Sequence, residues 1–196
     1  MFDVVADIGS ALQKAKQEHS FGESLAAALI ASVLSGVAIV LFISSLPHKA
    51  FGVIYAPSFA AIIFLAVVIS ILMFLGILLM GLVTELVANA LGGKGTYFSG
   101  LTAVSYSSFV SSLGCFLGTI LSFIPVVGPI LAVVLVLIFF PLSIAVFYRA
   151  IKELFETDMI TAFVTVACIT TGAIVAFYFA IFLSMGLITT QFTTIG

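Results

Sequence analysis

Five stretches of this chain carry no Asp, Glu, Lys, Arg or His: residues 24–46, 53–82, 101–124, 126–148 and 161–188. Each reaches the roughly 20 apolar residues that cross a hydrocarbon core of about 30 Å. Inside lipid, backbone amides and carbonyls must be satisfied within the protein, so only helices and closed barrels are available. Barrel strands are short and alternate in polarity, whereas these runs are long and continuously apolar. The pattern predicts an all-α, polytopic helix bundle. Charged residues make up 7% of the chain, against about 25% in soluble domains.

The spans are expected at about 24–46, 55–88, 101–123, 126–148 and 161–188, forming one membrane domain over residues 24–188. A segment of residues 1–23 precedes it and a short tail, residues 189–196, follows. The first run is too long for a signal-peptide core and reads as a retained helix. In residues 1–19, Phe2, Val5, Ile8 and Leu12 recur at three- and four-residue steps between Asp3, Asp7, Lys14 and Lys16. That spacing predicts a short amphipathic helix lying in the cytoplasmic interface. Ser20 and Glu23 have the spacing of a capping box for the first span.

Turn chemistry places the connections. Gly92, Gly93, Lys94 and Gly95 are expected to end a second helix long enough that it must tilt or project from the bilayer. Two prolines and a glycine within residues 124–129 predict a tight hairpin between spans three and four. Pro141 interrupts the fourth span and predicts a kink. Thr157 or Asp158 is placed to cap the fifth. Lys14, Lys16, Lys94, Arg149 and Lys152 fall on one side of such a layout and only Lys49 on the other. The positive-inside rule then puts the N-terminus in the cytoplasm and the C-terminus outside.

Several constellations stand out. Gly114 and Gly118 form G-x-x-x-G, extended by Ser107, Ser108, Ser111 and Ser112; Ser32 and Gly36 form a second small pair. Such faces let helices approach closely, either between two copies or inside one bundle. Glu85 and Asn89 lie one turn apart near the end of the second helix. Glu85 is expected to pair with Lys94, Arg149 or Lys152; the alternative is a proton or cation site. Arg149 with Glu153 and Lys152 with Glu156 have i,i+4 spacing for ion pairs. Together with Gly92, Gly93 and Lys94, the residues Arg149, Lys152 and Glu153 offer a cytoplasmic interaction surface. Cys115 and Cys168 read as apolar packing residues with no disulfide. His19 and His48 fall on opposite sides and cannot share a metal. No nucleophile–base pair, cofactor motif or metal-ligand set is evident. A net charge of −2 without a basic cluster points away from nucleic acid.

From Leu91 onward the chain resembles a known family. The run Leu91-Gly92-Gly93-Lys94-Gly95-Thr96-Tyr97-Phe98 leads into Ala103-Val104-Ser105-Tyr106-Ser107, and Tyr148-Arg149-Ala150-Ile151-Lys152-Glu153-Leu154 is followed by Thr157 and Ala162. This is similar to the Yip domain (Ypt-interacting) family in its prokaryotic form. The resemblance implies five spans with a cytoplasmic N-terminus, in a prokaryotic plasma membrane. Eukaryotic members are linked to Rab-type GTPases and vesicle formation through a longer N-terminal region. Residues 1–23 are too short for that platform, so GTPase binding is not expected. The combined expectation is a non-catalytic membrane organiser or adaptor. It would work in membrane lipid, assembling with itself or with other membrane proteins. The alternative is a small channel, transporter or lipid-handling protein.

Overall fold

The computed structural model describes residues 21–45 and 59–193, with side chains described at residues 22–44, 59–175 and 178. Among these residues it is all-helical: α1 Phe21–Ser45, α2 Phe59–Ala90, α3 Tyr97–Ser122, α4 Gly128–Leu154 and α5 Met159–Thr193. The expected N-terminal amphipathic helix, Ser20, Pro47, His19, His48 and Lys49 lie outside the described residues. The first four helices are long and apolar enough to cross a membrane; the apolar part of α5 with described side chains, Met159–Val175, is shorter.

Helix ends follow local chemistry. α2 spans 32 residues, about 48 Å at 1.5 Å per residue, and stops where the glycine run begins. Between α3 and α4, Val126 has φ 67° and the Val127 amide donates to the Pro125 carbonyl at 2.8 Å. This is a three-residue γ-turn, so the hairpin is as tight as its two prolines predict. α4 continues unbroken through Pro141 and carries Arg149 and Lys152 on its last turns, six residues past the expected end of the fourth span.

The helices alternate in direction, with α3 in the middle against α1, α2 and α4; α5 packs on α4 and α2. Ser24 Oγ and Thr102 Oγ1 share a hydrogen bond of 2.8 Å, and Ser35 Oγ and Ser112 Oγ one of 2.7 Å. The second pair lies about three turns further along both helices, so α1 and α3 run parallel. Gly114 against Phe139 and Gly118 against Ala132 set α3 and α4 antiparallel.

α3 is the least apolar of the four long helices, and it is the most buried. α2 is the most apolar, and its most apolar stretch has no buried residue. Lipid accounts for this inversion. Burying leucine against another helix gains little when the alternative is an acyl chain, whereas small residues let backbones approach. Large side chains such as Phe64, Leu72, Leu79 and Leu137 therefore face outward, while Ala28, Ala31, Ser32 and Ala103 are buried.

A close backbone-to-backbone crossing joins α2 and α3. A Cβ on Gly100 would fall on the Gly81 carbonyl oxygen, and one on Gly81 would come within 3.0 Å of the Leu101 Cα. Gly76, on the same α2, meets nothing within 4 Å. Gly100→Ala is therefore expected to destabilise the protein by about 1–3 kcal/mol through overpacking. Gly76→Ala should be neutral or stabilising by roughly 0.5–1 kcal/mol. Unfolding of the two variants in one detergent, compared side by side, checks the contrast.

Candidate functional site at the charged end of the bundle

Every charged residue among the described residues lies near one end of the bundle: Glu23 at the start of α1, Glu85 on the last turns of α2, Lys94 before α3, and Arg149, Lys152, Glu153, Glu156 and Asp158 around the α4–α5 corner. Alternating helix direction gathers these segments, which are far apart in sequence.

The α2–α3 turn is built residue by residue. Gly92 takes φ 99°, a left-handed value that glycine adopts without the Cβ clash. The Gly92 amide donates to the Asn89 carbonyl at 3.1 Å and the Gly93 amide to the Ala88 carbonyl at 2.9 Å. This pair is the Schellman closure, which satisfies carbonyls left over at a helix C-terminus. Gly93 and Gly95 serve close approach instead. A Cβ on Gly93 would lie 2.9 Å from the Ala88 carbonyl oxygen, and one on Gly95 would fall on the Phe155 ring.

Asn89 fixes the turn with both arms of its amide. Its Nδ2 donates to the Gly95 carbonyl at 2.9 Å, and its Oδ1 accepts from the Gly95 amide at 3.1 Å. The Lys94 amide donates to the Phe155 carbonyl at 3.0 Å, and Phe155 is fully buried. The glycine turn is thus seated on the α4–α5 corner, and the Lys94 side chain is exposed above it. The Tyr97 hydroxyl donates to the Leu78 carbonyl at 3.2 Å, and the Thr96 amide to Ser99 Oγ at 3.4 Å; both hold the entry of α3.

On α4, Arg149 Nε and Glu153 Oε1 are 3.0 Å apart, with both side chains partly in solvent. Such a pair contributes about 0.3–0.5 kcal/mol. Two expected pairings are corrected. Among the described residues Glu85 makes no ion pair with Lys94, Arg149 or Lys152. At this solvated end separate hydration costs little, and the Asn89 clamp and the Phe155 carbonyl, rather than charge, set the position of the turn. Lys152 and Glu156 do not sit on successive turns of one helix either, because α4 ends at Leu154 and Glu156 has φ 52°. At the start of α5 the cap is Asp158: its Oδ1 accepts from the Thr161 amide at 3.3 Å. Hydrogen bonds from the Thr161 hydroxyl, then from backbone amides, hold this carboxyl below its ordinary pKa against a weaker opposing desolvation. Thr157, beside it, is buried, and its hydroxyl has no hydrogen-bond partner among the described residues.

The small-residue positions face neighbours within the chain. Gly36 sits on α2 at Ala66 and Ser70, Gly114 on Phe139, and Gly118 3.4 Å from the Ala132 carbonyl by its Cβ direction. The buried Ser32 hydroxyl donates to the Leu29 carbonyl at 2.7 Å, and Ser111 is half-buried on α3. Cys115 and Cys168 are free thiols on the exposed surface. Sequence reading missed three features: Phe155 as the seat of the turn, the Gly81–Gly100 crossing, and the hydroxyl pairs from α1 to α3. The spacing of Gly93 and Gly95 around Lys94 was a signal that something large lay against the turn, but nothing local said which residue.

A family model described as the Yip1 domain matches residues 2–182. No curated protein and no solved structure matches the chain.

Asn89→Ala removes two hydrogen bonds and leaves the Gly95 amide and carbonyl to water. The expected cost is about 1–2 kcal/mol, confined to the turn, and read as faster hydrogen exchange at residues 92–96 with the rest of the bundle unchanged. Asp158 supplies a pH test. Its folded pKa is depressed, so its contribution is full above the unfolded value of about 4 and is lost as pH falls through the folded pKa. Asp158→Asn keeps an acceptor but does not titrate. Its stability deficit relative to the parent protein should be constant near neutrality and shrink on acidification, as followed by unfolding at a series of pH values.

Proposed function

The chain belongs to the Yip1 domain family, and from that premise we propose that this multi-pass, all-helical membrane protein is a non-catalytic organiser or adaptor that presents its charged end to a protein partner. In this reading α5 is a fifth span, and the charged end faces the cytoplasm with the N-terminus, in a prokaryotic plasma membrane. Lys94, Arg149, Lys152 and Glu153 form the contact surface. Gly92, Gly93, Gly95 and Asn89 hold its shape.

One observation carries the proposal: the glycine turn, held in shape by Asn89, is locked to the α4–α5 corner through the Lys94 amide and the buried Phe155 side chain. Two loops some sixty residues apart in sequence are fixed side by side by contacts that leave the Lys94, Arg149 and Lys152 side chains exposed. A loop that only connected two spans would not need Gly93 and Gly95 fitted against a side chain sixty residues away. Preorganised surfaces also bind without first losing conformational freedom. The engagement of Gly36, Gly114 and Gly118 inside the bundle supports reading them as packing positions and leaves the charged end as the surface for assembly. Glu85 and Asn89, in turn, read as parts of that end.

A photoreactive side chain at Lys94 or Lys152, activated in native membranes, is expected to capture one reproducible protein species. The same probe at Leu72, on the lipid face, should not capture it. Capture of lipid alone from all three positions would overturn the proposal.

A further inference from the structure

Deeper in the bundle, α2, α3, α4 and α5 enclose a cleft of about 240 Å³ with a chemistry the charged end does not share. Ser107, Ser108, Ser143 and Thr170 line it together with apolar side chains such as Met80 and Ile144. Ser108 lies eleven residues past the start of α3, Thr170 eleven past the start of α5, and Ser143 eleven before the end of α4. Counted from the expected span ends at residues 101, 161 and 148, they lie seven, nine and five residues inside, about 8–14 Å along the helices and within a hydrocarbon core about 30 Å thick.

The hydroxyls divide into two groups. The Ser107 hydroxyl donates to the Ser143 carbonyl at 3.0 Å, and that of Ser143 to the Phe140 carbonyl at 2.8 Å. Those of Ser108 and Thr170 make no hydrogen bond to the protein among the described residues. Elsewhere in the bundle Thr84, Thr102, Thr119 and Thr165 each close onto the carbonyl one turn back, the usual resolution for a hydroxyl in lipid. Ser108 and Thr170, from two different helices, instead leave donor and acceptor capacity at the cleft wall.

Shape and charge narrow the occupant. Val104 and Phe147, toward the charged end, are buried, whereas Phe140 and Ala173 at the deeper edge are exposed. The cleft therefore opens into the acyl region and not toward the charged face. No charged residue lines it, so an ion would have no counter-charge there. A hydroxyl group satisfies two free hydroxyls at once, as donor to one and acceptor from the other, and an apolar body suits the remaining wall. We propose that this cleft binds an uncharged, membrane-dissolved alcohol held by Ser108 and Thr170.

The test uses the full chain in lipid nanodiscs with two probes: a long-chain alcohol carrying a diazirine in its chain, and the matching hydrocarbon. Labelled residues are mapped by mass spectrometry. The alcohol should label cleft residues of α4 and α5 roughly five- to tenfold more than the hydrocarbon does, the value of two hydroxyl contacts in lipid. The double variant Ser108→Ala, Thr170→Val should reduce labelling to the hydrocarbon level while keeping the parental melting temperature. Equal labelling by both probes, or label spread over the lipid face of α2, would mean ordinary acyl-chain filling and overturn the proposal. A third arm places Ser108→Cys and Thr170→Cys singly in a background with Cys115 and Cys168 replaced by Ala. Reaction with a membrane-impermeant thiol reagent faster than at a Leu137→Cys control would show a water-filled cleft, and would equally overturn it.

Discussion

The bundle depends on how closely α3 approaches its neighbours. Lipid offers helices little reason to bury leucine against leucine, so association rests on dispersion between backbones brought near and on hydrogen bonds that hydrocarbon cannot replace. α3 supplies both. Gly100 lies against Gly81, Gly114 takes the Phe139 side chain, and Gly118 faces Ala132. The hydroxyls of Thr102 and Ser112 tie it to α1, and that of Ser107 to α4. Remove the small residues from this helix and the crossings open, while the apolar exteriors of α2 and α4 give nothing that would close them again.

The charged end inherits its shape from that packing. The α2–α3 crossing at Gly81 and Gly100 sets where the glycine turn emerges, and the α3–α4 pairing sets where Phe155 stands. Asn89 holds the turn's shape, and the Lys94 amide and the Gly95–Phe155 contact join the two. Electrostatics has a minor part: the clearest ion pair, Arg149 with Glu153, is local to one helix and partly solvated. Charge marks which end of the molecule meets water, and hydrogen bonds and a buried ring decide its geometry.

The two polar regions answer different physical demands. At the charged end, water satisfies whatever the protein leaves exposed, so Lys94 and Lys152 need no internal partners and remain free to meet another surface. In the cleft, the surroundings are hydrocarbon, and the hydroxyls of Ser108 and Thr170 have no such substitute. Membership of the Yip1 domain family covers both regions without distinguishing them. The family assignment fixes the kind of molecule; the chemistry of each region fixes what that region can hold.

The sequence by itself determined the helices, their order and the family. Charge-free runs of bilayer length, glycine and proline at the turns and an acidic cap before α5 are local signals, and local backbone physics obeys them. It also marked Gly36, Gly114 and Gly118 as contact positions. Only the tertiary structure decided what each contact met, because lateral packing in lipid is chosen by shape between surfaces distant in sequence. Hence Glu85 was expected beside a cation and makes no such pair, Lys152 and Glu156 were expected on one helix that ends before it joins them, and Phe155 passed as one more apolar residue. No periodicity within α4 could show that its ring would lie under a glycine sixty residues away.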